Sequence, residues 1–197
     1  MKCAAVICAA GAGSRMGQNK ALCCFRHETF LSSIVHALQS ITAPPISPIV
    51  IVTGAQACEV QHTHRHLQNV IWCHNPEWMH THMLESLMCG LQHIPEPSFV
   101  LHWPVDCLGI TVQDLQNLLN APKDQCAVLA YHGKVGHPIR LTPECVLSIQ
   151  SHAHSYHSLK DVFSEFQRLP IEATSEPLMN CNDPQILADF IARHPHL

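Results

Sequence analysis

The chain has 197 residues, 47% hydrophobic and 13% charged, with a formal net charge of −4 when its 17 histidines are neutral. That length holds one well-buried α/β domain, 1–197, and is short for two; the weak negative charge leaves no basic face for nucleic acid. No apolar run reaches the length of a membrane span, and 11 irregularly spaced cysteines without a C-x-x-C pair do not make a secreted disulfide framework.

Residues 3–9 predict a buried strand ending near Gly11, because a short apolar run closed by glycines marks a strand entering a tight loop. Lys2, that run and Ala10-x-Ala12 mimic a short signal peptide. Cleavage there would remove the strand and split the loop, so no export signal is read and a cytoplasmic location is expected. Residues 28–41 place Phe30, Leu31, Ile34, Val35, Leu38 and Ile41 at helical spacing, and Ala43-Pro44-Pro45 stops the helix. A strand over 48–53, a helix over 55–67, a strand over 69–73 and a helix over 83–93 follow. Pro95-Glu96-Pro97 is a loop, and a strand over 98–102 runs into Trp103-Pro104-Val105-Asp106. Thr111 caps a helix to Asn120, with Asp114 at the capping-box position. Strands at 126–131 and 134–141, helices at 143–151 and 159–169, short strands at 171–173 and 178–180, and a helix at 184–192 complete the chain. Such alternation predicts a mainly parallel sheet with right-handed crossovers. Ligands then sit at the carboxyl ends of the strands, where the Gly11–Lys20 loop, Asp106 and Asn180–Asp183 fall.

Gly11, Gly13 and Gly17 let backbone N–H groups turn toward an anion, and Arg15 and Lys20 add the charge a polyphosphate needs. A Walker A loop fails, since Gln18 and Asn19 separate Gly17 from Lys20. A dinucleotide loop needs an acid at the end of the next strand for a ribose; Val52-Thr53-Gly54-Ala55-Gln56 has none, which argues against an NAD(P)-dependent oxidoreductase. Asp106 beside a phosphate loop offers one carboxylate to Mg²⁺; a turn or N-cap aspartate is the structural alternative. Asn180 and Asn182 share a face if extended and could complete that metal shell; the alternative is a turn before a helix with Pro184 at its first position. His-x-His pairs at 62/64/66, 80/82, 152/154 and 194/196 lie in helical or loop context, where i and i+2 diverge, so they read as surface histidines rather than zinc ligands.

Ala9-Ala10-Gly11-x-x-x-Arg15-Met16-Gly17-x-x-Lys20 resembles the A-A-G-x-S-x-R-M-G-x-x-K signature of the nucleotidyltransferases related to the molybdenum-cofactor cytidylyl- and guanylyltransferases, with Gly13 where that family usually has Ser. Further resembling segments follow in order: Asn75-Pro76-x-Trp78 through Ser86-Leu87-x-x-Gly90-Leu91, Pro104-Val105-Asp106, Gly136-His137-Pro138, Leu159-Lys160-Asp161-Val162 and Asn180-Cys181-Asn182-Asp183-Pro184. The resemblance implies a three-layer α/β/α, Rossmann-like nucleotidyltransferase fold with a mainly parallel twisted sheet. It implies Mg²⁺-dependent transfer of a nucleoside monophosphate from an NTP, CTP favoured, to a small phosphorylated acceptor such as molybdopterin. The implied nucleotide contacts are Ala9, Ala10, Gly11, Ala12, Gly13, Ser14, Arg15, Gly17, Lys20 and Ser86. Arg15, Lys20 and Asp106 are the implied catalytic groups, Asp106, Asn180 and Asn182 the Mg²⁺ ligands, and His137 an acceptor contact. The Ala10 methyl would narrow the space beside the base and disfavour a purine. Two departures stand out: His82-Met83 replaces a Gly-Met pair, and Glu85 replaces a Ser. His82 would crowd an open space and Glu85 would repel a nearby phosphate. These keep open a sugar- or polyol-phosphate acceptor, or a non-catalytic nucleotide-binding relative.

Overall fold

The computed structural model describes residues 2–94, 98–152 and 155–194; the Pro95-Glu96-Pro97 loop and His154 and His196 lie outside the described residues. In chain order the elements are β1 (Cys3–Ala9), β2 (Cys24–Phe25), β3 (Glu28–Thr29), α1 (Phe30–Gln39), β4 (Ile46–Thr53), α2 (Ala57–Thr63), β5 (Val70–His74), α3 (Met83–Leu91) and β6 (Phe99–Pro104). Then come α4 (Val112–Asn120), β7 (Cys126–Tyr131), β8 (Lys134–Leu141), α5 (Pro143–Ser151), α6 (Leu159–Glu165), β9 (Arg168–Glu172) and α7 (Pro184–Arg193).

The main sheet runs β5-β4-β1-β6-β8-β7-β9. β1 is buried along its whole length and pairs in parallel with β4 and β6; a strand covered on both faces needs the unbroken apolar run found there. β4 and β5, and β7 and β9, are also parallel, whereas β8 runs antiparallel between β6 and β7. Apolar side chains of α1, α4 and α7 fill one face of the sheet, and those of α3, α5 and α6 fill the other. The result is the mainly parallel, three-layer α/β/α architecture expected.

Several boundaries differ from the sequence expectation. The first helix starts at Phe30 rather than at 28, because the Thr29 hydroxyl caps it by accepting the Ser32 N–H at 3.1 Å and Glu28–Thr29 pairs with Cys24–Phe25 instead. The expected helix over 159–169 ends at Glu165; Arg168–Glu172 pairs with β7 and absorbs the short strand expected at 171–173. Sheet pairing there overrides helical spacing. The strand expected at 178–180 is an isolated bridge between Leu178 and Leu108. His64 is fully buried rather than at the surface: Nε2 lies 2.6 Å from Thr29 Oγ1 and Nδ1 lies 2.7 Å from the Val60 carbonyl. Among the described residues no group of three or more His, Cys, Asp or Glu could hold a metal ion, and no helix is long and apolar enough to cross a membrane.

α3 lies tightly on β1 and β4 because Gly90 has no side chain. A Cβ there would sit 2.4 Å from Val6 Cγ1 and 3.0 Å from Val52 Cγ2. Gly90→Ala is therefore expected to lower unfolding free energy by about 1–3 kcal/mol in urea titrations, despite the better helix propensity of alanine. Burial also holds His64 and His102 below the ordinary histidine value of 6.5. Near that pH the unfolded chain takes up protons that the folded chain refuses, so this stability is complete above it and is lost as pH falls. Thermal midpoints should drop between about pH 7.5 and about pH 5.5, and His102→Gln should flatten the decline.

Candidate active site

Three separate parts of the chain meet at the carboxyl edge of β1 and β6. The first is the loop that leaves β1. Gly13 is left-handed (φ 67°), and a Cβ there would lie 2.0 Å from the Gln18 carbonyl. Only glycine lets the loop close that tightly. Asn19 is fully buried: its Nδ2 donates to the Ala55 carbonyl at 2.9 Å, and its Oδ1 accepts the Ala21 N–H at 3.0 Å. It therefore ties the end of the loop to the segment after β4 and sets the place from which Lys20 projects.

The second part is the end of β6. The Val105 N–H donates to the Cys8 carbonyl at 3.0 Å, which carries the β1–β6 pairing past Pro104 and delivers Asp106 beside the loop. The third is the segment before α7. Leu108 and Leu178 exchange both backbone hydrogen bonds, at 2.8 and 2.9 Å, and the Cys181 N–H donates to the Asp106 carbonyl at 2.8 Å. These bonds pin Asn182 against the Asp106 turn. Lys20 Nζ then donates to Asp106 Oδ2 at 2.7 Å and to Asn182 Oδ1 at 2.5 Å.

Gly11, Gly13, Ser14, Arg15, Lys20, Asp106 and Asn182 all line one cavity of about 210 Å³. Among the described residues its charged lining is two cations and one carboxylate. Cys8 and Met83 line it too and also line an adjoining cavity of about 210 Å³, reached by Ala10, Gly11 and Ser86 and walled by Trp78, Thr81 and His82. Buried Asn75 organises that second space, donating through Nδ2 to Thr81 Oγ1 at 2.9 Å and to Ser86 Oγ at 3.2 Å. Of the other expected nucleotide contacts, Ala9 is buried in β1 against Thr53, Gly17 makes a left-handed turn, and Ala12 is exposed. None of these three lines either cavity.

A third cavity, of about 340 Å³, contains His137 and Asn180 together with Lys160 and Arg168, and among the described residues no acid lines it. Asn180 does not share a face with Asn182, because it is left-handed (φ 58°) and the segment is not extended there. Its carbonyl instead accepts Asn182 Nδ2 at 3.0 Å, which orients the Asn182 oxygen toward Lys20. Burial pushes His137 down to about 4, against the opposing pull of Asp106, so the ring is neutral near pH 7. It stands edge-on to the His102 ring at 5.1 Å, and its Nδ1 is buried without a partner.

Glu85, expected to oppose phosphate, instead accepts the His82 N–H at 2.9 Å and caps α3. It lines neither of the first two cavities, whereas His82 lines the second. Burial raises the Cys8 and Cys107 thiols well above their ordinary value, so neither supplies a thiolate nucleophile. Sequence reasoning missed Asn19, whose signal is an N-cap residue type directly before Lys20. It also missed Cys8, Met83 and Arg168, which carry no local signal. A larger cavity, about 740 Å³, lies between α1 and the start of α4 over Phe25, Ile34 and Trp103; it contains none of the loop, Asp106 or Asn182.

The chain is similar to known proteins in both sequence and fold. The chain is 28% identical over 144 residues to the molybdenum cofactor cytidylyltransferase of Escherichia coli K12, covering 72% of this chain and 71% of that protein. Its fold is similar to that of 4-diphosphocytidyl-2C-methyl-D-erythritol synthase from Anaerococcus prevotii, with a TM-score of 0.79 at 12% identity over 99% of this chain and 96% of the other. It is also similar to the manganese complex of Rv0371C from Mycobacterium tuberculosis H37Rv, with a TM-score of 0.72 at 14% identity over 98% and 99% of the two chains. Residues 5–169 match the MobA-like NTP transferase domain, and the chain belongs to that family of nucleotidyltransferases.

Proposed function

We propose that this protein transfers a nucleoside monophosphate, CMP favoured, from an NTP to a phosphorylated acceptor such as molybdopterin, and releases pyrophosphate. The observation that carries this reading is the convergence of Lys20, Asp106 and Asn182 on one point of the cavity lined by the glycine loop. The loop N–H groups, Arg15 and Lys20 hold the triphosphate, and a cation-rich concave lining gives that anion a place to bind. Asp106 and Asn182 would hold Mg²⁺. Their oxygens already converge on one ammonium, and hard oxygen donors are what Mg²⁺ and Mn²⁺ take. When bound, the metal neutralises phosphate charge and polarises the phosphoryl oxygen.

An acceptor phosphate oxygen attacks the α-phosphorus in line. The bond from that phosphorus to the bridging oxygen breaks, and pyrophosphate leaves with the electron pair. Positioning and charge neutralisation suffice, and no side chain forms a covalent intermediate. The base lies in the adjoining cavity, where Ala10 and His82 limit its size. The acceptor lies in the third cavity, where Lys160 and Arg168 match an anion and neutral His137 offers a ring nitrogen. The 28%-identical molybdenum cofactor cytidylyltransferase supports cytidylyl transfer and an acceptor of the molybdenum-cofactor class. A polyol phosphate is the second reading for the acceptor. It is favoured by that basic, acid-free lining, which asks for an anionic group without demanding a pterin.

The test is pyrophosphate release with Mg²⁺, CTP or GTP, and either molybdopterin or 2-C-methylerythritol 4-phosphate. The expected result is CTP- and molybdopterin-dependent release that falls by about a hundredfold or more in Asp106→Ala. Release with the polyol phosphate alone would reassign the acceptor, and GTP preferred over CTP would remove the role given to Ala10.

A further inference from the structure

Lys20 occupies an unexpected position for a phosphate-binding lysine. Its ammonium is held by the two side-chain oxygens that the preceding reading gives to the metal. The pair is largely enclosed, with side-chain exposures of 18% for Lys20 and 14% for Asp106. Among the described residues, Asp106 supplies the one negative charge lining this cavity, and Lys20 pairs with it. Asn182 adds an oxygen but no charge. A divalent cation arriving alone would have to expel an ammonium from its counter-ion, or sit beside it with too little negative charge for both.

We infer that Lys20 is a placeholder for the metal: in the nucleotide-free protein its ammonium fills the cation position, and a divalent ion gains Asp106 and Asn182 only when a triphosphate draws Lys20 away. The four-carbon stem and point charge of lysine suit such an exchange between two anionic partners. The triphosphate brings the charge that the cavity lacks, both for Lys20 and for the metal. Metal and nucleotide binding are therefore positively coupled, and by linkage each strengthens the other by the same factor. The neutral residue at Asn182 is what makes the coupling strict, since an acid there would leave charge for a metal while Lys20 stayed in place. The coupling rests on the nucleotidyltransferase reading; the exclusion of free metal does not.

The experiment measures Mn²⁺ affinity from the electron paramagnetic resonance signal of free Mn²⁺, using wild type, Lys20→Met and Asn182→Asp, each checked for fold by circular dichroism. Wild type should bind Mn²⁺ alone at least about tenfold more weakly than Lys20→Met, and CTP should tighten Mn²⁺ binding to wild type by about tenfold or more. Asn182→Asp, which keeps Lys20, should also bind Mn²⁺ alone more tightly than wild type, and this arm decides the matter if Lys20→Met fails to fold. Equal Mn²⁺ affinity in wild type and the folded variants would overturn the placeholder. So would CTP binding that leaves Mn²⁺ affinity unchanged. If CTP and the other NTPs do not bind at all, the transferase reading fails, while the comparison of Mn²⁺ alone across the variants still judges the placeholder.

Discussion

One backbone hydrogen bond holds the site together: the Cys181 N–H to the Asp106 carbonyl at 2.8 Å. It joins the turn after β6 to a segment some 75 residues later, and the doubly bonded Leu108–Leu178 bridge braces it from behind. Without that clamp Asn182 has no reason to lie near Lys20, and the cavity loses one wall. The turn itself is held by Trp103, whose indole N–H donates to the Cys107 carbonyl at 2.8 Å from a fully buried position. The edge that carries the candidate site therefore draws its rigidity from the core of the sheet, which is how a loop-borne site keeps a fixed geometry.

Two enclosed cations show how differently the same charge can be used. The Arg140 side chain is fully buried and donates to the carbonyls of Leu119, Ala121, Pro122 and Gln125. These are the carbonyls at and after the C-terminus of α4, where a helix end favours positive charge. Arg140 closes a turn. Lys20 sits at a cavity wall with an anion and an amide as partners, and in the proposed exchange it passes to a triphosphate. Burial alone does not mark function; partners that a ligand can replace do.

Most of the fold was legible because β1 and its loop state their roles locally. An unbroken apolar run, closely spaced glycines and two cations leave few alternatives, and Asp106 follows a second such strand. The capping box of Thr111 and Asp114 was equally readable, and the structure adds that Asp114 also accepts the Thr174 N–H at 2.7 Å. What stayed hidden depends on long-range pairing. β8 runs antiparallel because the chain turns at Gly133 and returns beside both β6 and β7, and β9 is a strand only because β7 is there to pair with it. The left-handed turn at Asn180 separates two asparagines that an extended segment would align. Glu85 read as a threat to phosphate although the helix was expected from residue 83; its place three residues after His82 is the capping-box position, and it accepts the His82 N–H.

The central claim is that the edge of β1 and β6 binds a nucleoside triphosphate with a divalent metal. Calorimetry of the wild-type protein with CTP, GTP, ATP, UTP and NADPH, with and without Mg²⁺, tests it most directly. The account predicts Mg²⁺-dependent binding of an NTP, tightest for CTP, and no binding of NADPH. Binding of NADPH with no binding of any NTP would contradict it.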